Sequence, residues 1–137
     1  MRIIYLIGLV LLSGTTSAQQ KNWKEANNWK LYNIHTNKAF GYTPDTLSNF
    51  RSVSLGDSLV QGYLIYSSAW PKEKDASWMG VFIASYEDSN KICKVDISVY
   101  GGFLFDESIK QYFELPLYMR NDWMEFLNNA FKRMPLK

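Results

Sequence analysis

The sequence predicts an α+β fold: an antiparallel β-meander of about four to six strands packed against a C-terminal α-helix, in two layers and a single domain. Three observations predict it. Trp123, Phe126, Leu127, Ala130, Phe131 and Met134 recur at helical spacing and form one apolar stripe. Cys93, Val95, Ile97 and Val99 alternate with Lys94, Asp96 and Ser98, which is the two-residue period of a strand. Turn-forming segments separate several runs rich in Val, Ile, Tyr and Phe.

The chain opens with Met1 and Arg2, an apolar run over 3–12 and small polar residues over 13–18. That order is the pattern of a secretory signal peptide, with cleavage expected between Ala18 and Gln19. The apolar run is shorter than the roughly 20 residues a membrane-spanning helix needs. The expected organisation is a signal peptide over 1–18 and a single soluble α+β domain over 19–137. Residues 19–28 form a polar lead-in. Trp29 to Ile34 read as a first strand, Thr36-Asn37 as a turn, and 39–42 as a short partner strand. Thr43-Pro44-Asp45 is a helix start: a capping hydroxyl, a proline suited to the first helical position, and an acid for the positive end of the dipole. Leu47 and Phe50 give this short helix its apolar pair, and Gly56-Asp57 closes the segment.

Runs at 59–69, 78–86 and 92–100 then read as three strands. The middle one is apolar at nearly every position and is expected to be covered on both faces. In the third, Lys94, Asp96 and Ser98 are expected to face water. Gly101-Gly102 is a hairpin turn, because glycine accepts the positive φ that such turns require. Phe103 to Phe105 return antiparallel, 106–110 turn again, and 111–115 form a last strand ended by Pro116. Asn121 is the expected cap of the final helix, with Asp122 in its first turn, Lys132 and Arg133 in its last, and Pro135 closing it.

Bulk properties narrow the function. Removing Arg2 with the signal takes the basic count from 15 to 14, against 13 acidic groups. This balance excludes a nucleic-acid binder, which needs a basic excess on one face. No polybasic run is present to hold an anionic membrane, and no stable membrane anchor is expected after cleavage. Cys93 is the single cysteine, so no internal disulfide supports the fold and a core must hold it. The 47% apolar composition, with 16% aromatics, can supply that core. The chain has no Asn-x-Ser/Thr sequon, which favours a bacterial periplasm or cell exterior over a eukaryotic secretory route.

Motifs for catalysis are lacking. His35 stands alone beside a proposed turn, where a solvated histidine outweighs a ligand or base. Cys93 shares its strand face with Val95 and Ile97, and so reads as buried rather than nucleophilic. Glu87, Asp88, Asp106 and Glu107 fall in turns that a meander brings to one end, but their spacing matches no calcium loop. Gly101-Gly102 lacks the Lys-Ser/Thr of a phosphate loop, and no serine lies in a nucleophile elbow. No cofactor or metal is expected.

The aromatics are more suggestive. The meander places Trp70, Trp78 and Tyr100 near one end of the sheet, beside Lys72, Glu73, Lys74 and Asp75. Trp70, Lys72, Lys74, Trp78 and Tyr100 are the candidate binding residues, since exposed Trp and Tyr with charged neighbours make protein-binding hot spots. The general format, a small exported α+β domain without a catalytic signature, is similar to that of periplasmic immunity proteins and hydrolase inhibitors. The expectation is a non-catalytic exported protein that masks a protein partner. The alternatives are a carbohydrate- or small-ligand-binding module and a hydrolase with a carboxylate site.

Overall fold

The computed structural model describes residues 21–36, 41–70, 81–98 and 102–134. The expected signal peptide and the 39–40 part of the second predicted strand lie outside them. The strands are β1 (Asn27–Thr36), β2 (Ser52–Ser54), β3 (Ser68–Trp70), β4 (Val81–Asp88), β5 (Lys91–Ser98), β6 (Phe103–Asp106) and β7 (Gln111–Glu114). The helices are α1 (Pro44–Leu47), α2 (Asp57–Leu64) and α3 (Leu117–Lys132), preceded by a single 3-10 turn at Trp23–Glu25. The strands form one seven-stranded open sheet in the order β2-β1-β4-β5-β6-β7-β3, with every neighbouring pair antiparallel. The α+β architecture with a C-terminal helix is the one the sequence predicts.

Strands β4 to β7 are the meander itself. Ser89 and Asn90 connect β4 to β5 with both residues at positive φ, the left-handed pair that matches strand twist in a two-residue hairpin. Val81 to Tyr86 are all buried, as expected of a strand covered on both faces. On one face Leu31, Phe82, Ala84, Val95, Ile97, Leu104 and Phe113 pack with Trp123, Leu127 and Ala130 of α3. On the other, Tyr32, Ile34, Val81 and Ile83 pack with Leu47 of α1, and half-buried Tyr42 closes that cluster. Thr43 caps α1, its backbone N–H donating to Thr46 Oγ1 at 3.0 Å.

Five local expectations are corrected. Residues 59–64 are helical, not extended. Val60 and Leu64, one helical turn apart, are the buried positions of α2, and the exposed Leu59 lies off their stripe. The Asp57 carboxylate starts this helix and ties it to β1, accepting from the backbone N–H groups of Asn28 and Trp29 at 3.0 Å each. Gly56 precedes it at φ +80, so the predicted stop is in fact a start. The partner that lies outside β1 is β2, with Leu31 opposite Val53. Helix α3 begins at Leu117, with Pro116 in the cap position in place of Asn121. Last, the face expected to be wet is buried: Lys94 is 1% exposed, Asp96 2% and Ser98 3%.

Candidate functional site

Of the candidate binding residues, Lys72, Lys74, Trp78 and Tyr100 lie outside the described residues. Trp70 ends β3, opposite Tyr112 of β7. The meander reading assumed that this run neighbours β4. The sheet instead separates β3 from β4 by β5, β6 and β7, because β3 pairs with β7 at the edge of the described sheet. Ser68 lies opposite Glu114, and Phe103, just after Gly102, lies opposite the same Glu114. β3 therefore starts level with the Gly102 end of the sheet and runs away from it, taking the Trp70 backbone toward the turn at 107–110.

That register gathers a different set of side chains. The chain enters β3 at Ser68 and leaves β7 at Glu114, from the same end of two paired strands. Residues just before Ser68 and just after Glu114 thus flank one corner. Here Ile65 and Tyr66 are 51% and 54% exposed, and Leu117 and Tyr118 are 79% and 77% exposed. The corner is held firmly. Arg120 donates from Nε to the Leu115 carbonyl at 3.0 Å and from Nη2 to Glu114 Oε1 at 2.5 Å. A Cβ on Gly102, at φ +70, would meet Arg120 Cγ at 2.7 Å, so a glycine is needed for this close approach. Tyr63 of α2 packs on Trp123 at 5.0 Å, and its hydroxyl donates to Asp122 Oδ2 at 2.6 Å. Burial, followed by that bond to Asp122, pushes the Tyr63 phenol up to about 12. Sequence reasoning missed the corner, although Leu117 and Tyr118 stand off the phase of the α3 stripe and so had no core position to fill.

A pocket of about 170 Å³ adjoins Ile65. Buried Trp23, Leu64, Ser67 and Phe113 make its floor, and Lys21, Asn22, Lys24 and Ile65 its mouth. The Trp23 and Phe113 rings meet edge-on at 5.0 Å. The Ser67 hydroxyl is committed to the Leu64 carbonyl at 2.6 Å.

Two buried polar clusters complete the inventory. Beside the pocket, Asp106 is fully buried and accepts from Ser108 N at 3.0 Å, Ser108 Oγ at 2.5 Å, the Tyr86 hydroxyl, and Lys21 Nζ at 3.2 Å. The Lys21 ammonium also lies 4.5 Å from the Tyr86 ring centroid and 5.3 Å from that of Trp23. Burial, and after it the Asp106 charge, raise the Tyr86 phenol far above its ordinary range, so it acts as a fixed donor and not as a base. On the opposite sheet face, Lys94 Nζ donates to Asp96 Oδ1 at 2.7 Å and to Glu107. Asp96 Oδ2 is buried and has no hydrogen-bond partner among the described residues. Burial first, and then the neighbouring Glu107 carboxyl, push Asp96 up to about 8, which keeps it protonated at neutral pH.

The turn carboxylates are thus split between faces. Glu87 accepts from the Asn28 side chain, Asp106 belongs to the Tyr86 cluster and Glu107 to the Lys94 cluster. Among the described residues, no three His, Cys, Asp or Glu side chains come together in a way that could hold a metal ion. His35 is exposed near the end of β1, with its ring 5.0 Å from that of Phe82; the turn expected at Thr36-Asn37 runs beyond the described residues. Cys93 is buried. No described helix is long and apolar enough to cross a membrane. Comparison with protein-family models finds no match, and neither does comparison with curated proteins or with solved structures.

Proposed function

We propose that this chain is a small exported binding protein, of the toxin-immunity or hydrolase-inhibitor kind, that masks a partner protein at the corner between α2, β3 and α3. Export would use the signal peptide at 1–18, and the protein would act in the periplasm or outside the cell. The observation that carries the reading is the gathering of Ile65, Tyr66, Leu117 and Tyr118, all more than half exposed, where two paired strands end. Isolated apolar side chains on a surface are ordinary. Four such side chains flanking one corner, two of them tyrosines, have the composition of an interface core.

Two further facts favour this reading. The adjoining pocket is smaller than the roughly 300–1,000 Å³ typical of small-molecule sites, and its size suits a side chain. The carboxyl groups of buried Asp96 and Asp106 and of half-buried Glu107 are engaged by Lys94, Lys21, Tyr86 and Ser108, and none of the three lines the pocket.

The test is site-specific photo-crosslinking in the host envelope. A photoreactive residue replaces Tyr66, Tyr118 or, as control, the exposed Asn128 of α3. A discrete adduct with one and the same protein from both corner positions, absent from the control, is the expected result. Adducts that are equal at all positions, or missing at both tyrosines, contradict the proposal.

A further inference from the structure

We infer that the pocket beside Ile65 seats one ring-sized apolar side chain of the partner, carried next to an acidic group. This deepens the binding reading above and rests on it. The size argument comes first. A cavity of about 150 Å³ lined by apolar side chains accepts a benzene molecule. The pocket here is about 170 Å³, and its floor is formed by Trp23, Leu64 and Phe113 together with Ser67, whose hydroxyl is taken up by the Leu64 carbonyl. An inserted ring would meet two aromatic rings already set edge-on at 5.0 Å, an arrangement that rewards a third ring by its quadrupole as well as by burial. It would also cover Ile65, which is half exposed at the mouth.

The charge argument is independent. Two ammonium groups stand at the mouth, and they differ. Lys21 is already neutralised by Asp106 at 3.2 Å. Lys24 is exposed and has no ion-pair partner among the described residues. One cation without an ion-pair partner among the described residues, at the mouth of a pocket whose floor is mainly apolar, selects a ligand that presents one carboxylate next to its apolar group. The site is also preformed. Asn22 Oδ1 accepts from the Lys24 backbone N–H at 3.2 Å, and Trp23 is packed into the core, so little freedom is lost when a side chain enters.

The probes are N-acetylphenylalaninate and its neutral amide, titrated into the 15N-labelled protein as its host exports it and read by amide chemical shifts. We expect saturable shifts at Trp23, Ile65, Ser67 and Phe113, with the anion binding at least threefold tighter than the amide. Lys24→Gln should equalise the two probes while leaving the spectrum of the fold intact, and Lys132→Gln should leave the preference unchanged. No saturable shift at these amides, or equal affinities in the unsubstituted protein, overturns the inference. Crosslinks from Tyr66 and Tyr118 alongside unresponsive pocket amides would defeat the pocket and spare the partner. Probe binding without crosslinks would defeat the partner and, with it, the proposed occupant.

Discussion

Lys94 Nζ lies 2.7 Å from Asp96 Oδ1, and the two side chains sit two residues apart on the same strand with almost no exposure. An ammonium and two carboxyl groups, from Asp96 and Glu107, therefore share one buried space. The cluster is neutral only while one carboxyl keeps its proton, and the buried Asp96 is the one pushed up to about 8.

Stability should therefore depend on pH. An unfolded Asp96 releases its proton near its ordinary value of 3.8 and the folded one near 8. Between those values the folded state binds the extra proton, so this group's contribution is fully present below the lower value and is lost as pH rises through the upper one. Asp96→Asn mimics the protonated form and should remove the slope. Denaturant unfolding at pH 5 and pH 8.5 should show the variant gaining at least about 1 kcal/mol on the parent across that interval, since one pKa unit corresponds to about 1.4 kcal/mol. Parallel profiles would contradict this.

The second cluster makes an ordering prediction. Asp106→Ala leaves the Lys21 ammonium without its counter-ion and takes the carboxylate acceptor from the buried Tyr86 hydroxyl, and should cost about 3–5 kcal/mol, the scale for breaking a buried pair. Lys21→Met leaves Asp106 with Ser108 N, Ser108 Oγ and Tyr86 as donors, and should cost clearly less. Equilibrium unfolding of both variants checks the order, and a reversed order would show that Lys21 dominates the site.

The α3 stripe gives the third. Trp123 is buried, and its indole N–H has no hydrogen-bond partner among the described residues, so its contribution is read as packing. Trp123→Ala should lose about 3–5 kcal/mol. Lys132→Ala, on the exposed side of the last turn, should change stability by under about 0.5 kcal/mol. Thermal and denaturant melts of the pair measure the difference, and equal losses would mean that the helix faces another way.

Periodicity made α3 legible, because its stripe repeats over three turns and survives a cap placed five residues too late. It also made β5 legible as a strand, yet misjudged what lies over it. Alternation assigns Cys93, Val95 and Ile97 to one face and Lys94 and Asp96 to the other, but it carries no information about what covers the second face. Helix α2 was missed because Leu, Val, Tyr and Ile within 59–66 match a strand in composition. The Val60–Leu64 spacing was there, outweighed by that composition, and the Asp57 carboxylate bridging to β1 is a tertiary contact that no local pattern reveals. The β3–β7 pairing is long-range in the same sense, and with it went the placement of the binding surface. A meander assumption pairs consecutive runs, whereas β3 crosses to the far edge of the sheet.

The central claim is that the corner bearing Tyr66 and Tyr118 holds a protein partner. The most direct measurement is titration calorimetry of the partner captured by crosslinking, against the parent protein and against Tyr66→Ala and Tyr118→Ala. Both side chains are more than half exposed, so neither substitution should shift the thermal melt by more than about 0.5 kcal/mol equivalent. At least one should weaken the complex by about 2 kcal/mol or more, roughly thirtyfold in Kd. Unchanged affinity in both variants, with the fold intact, would contradict the account and move the interface away from this corner.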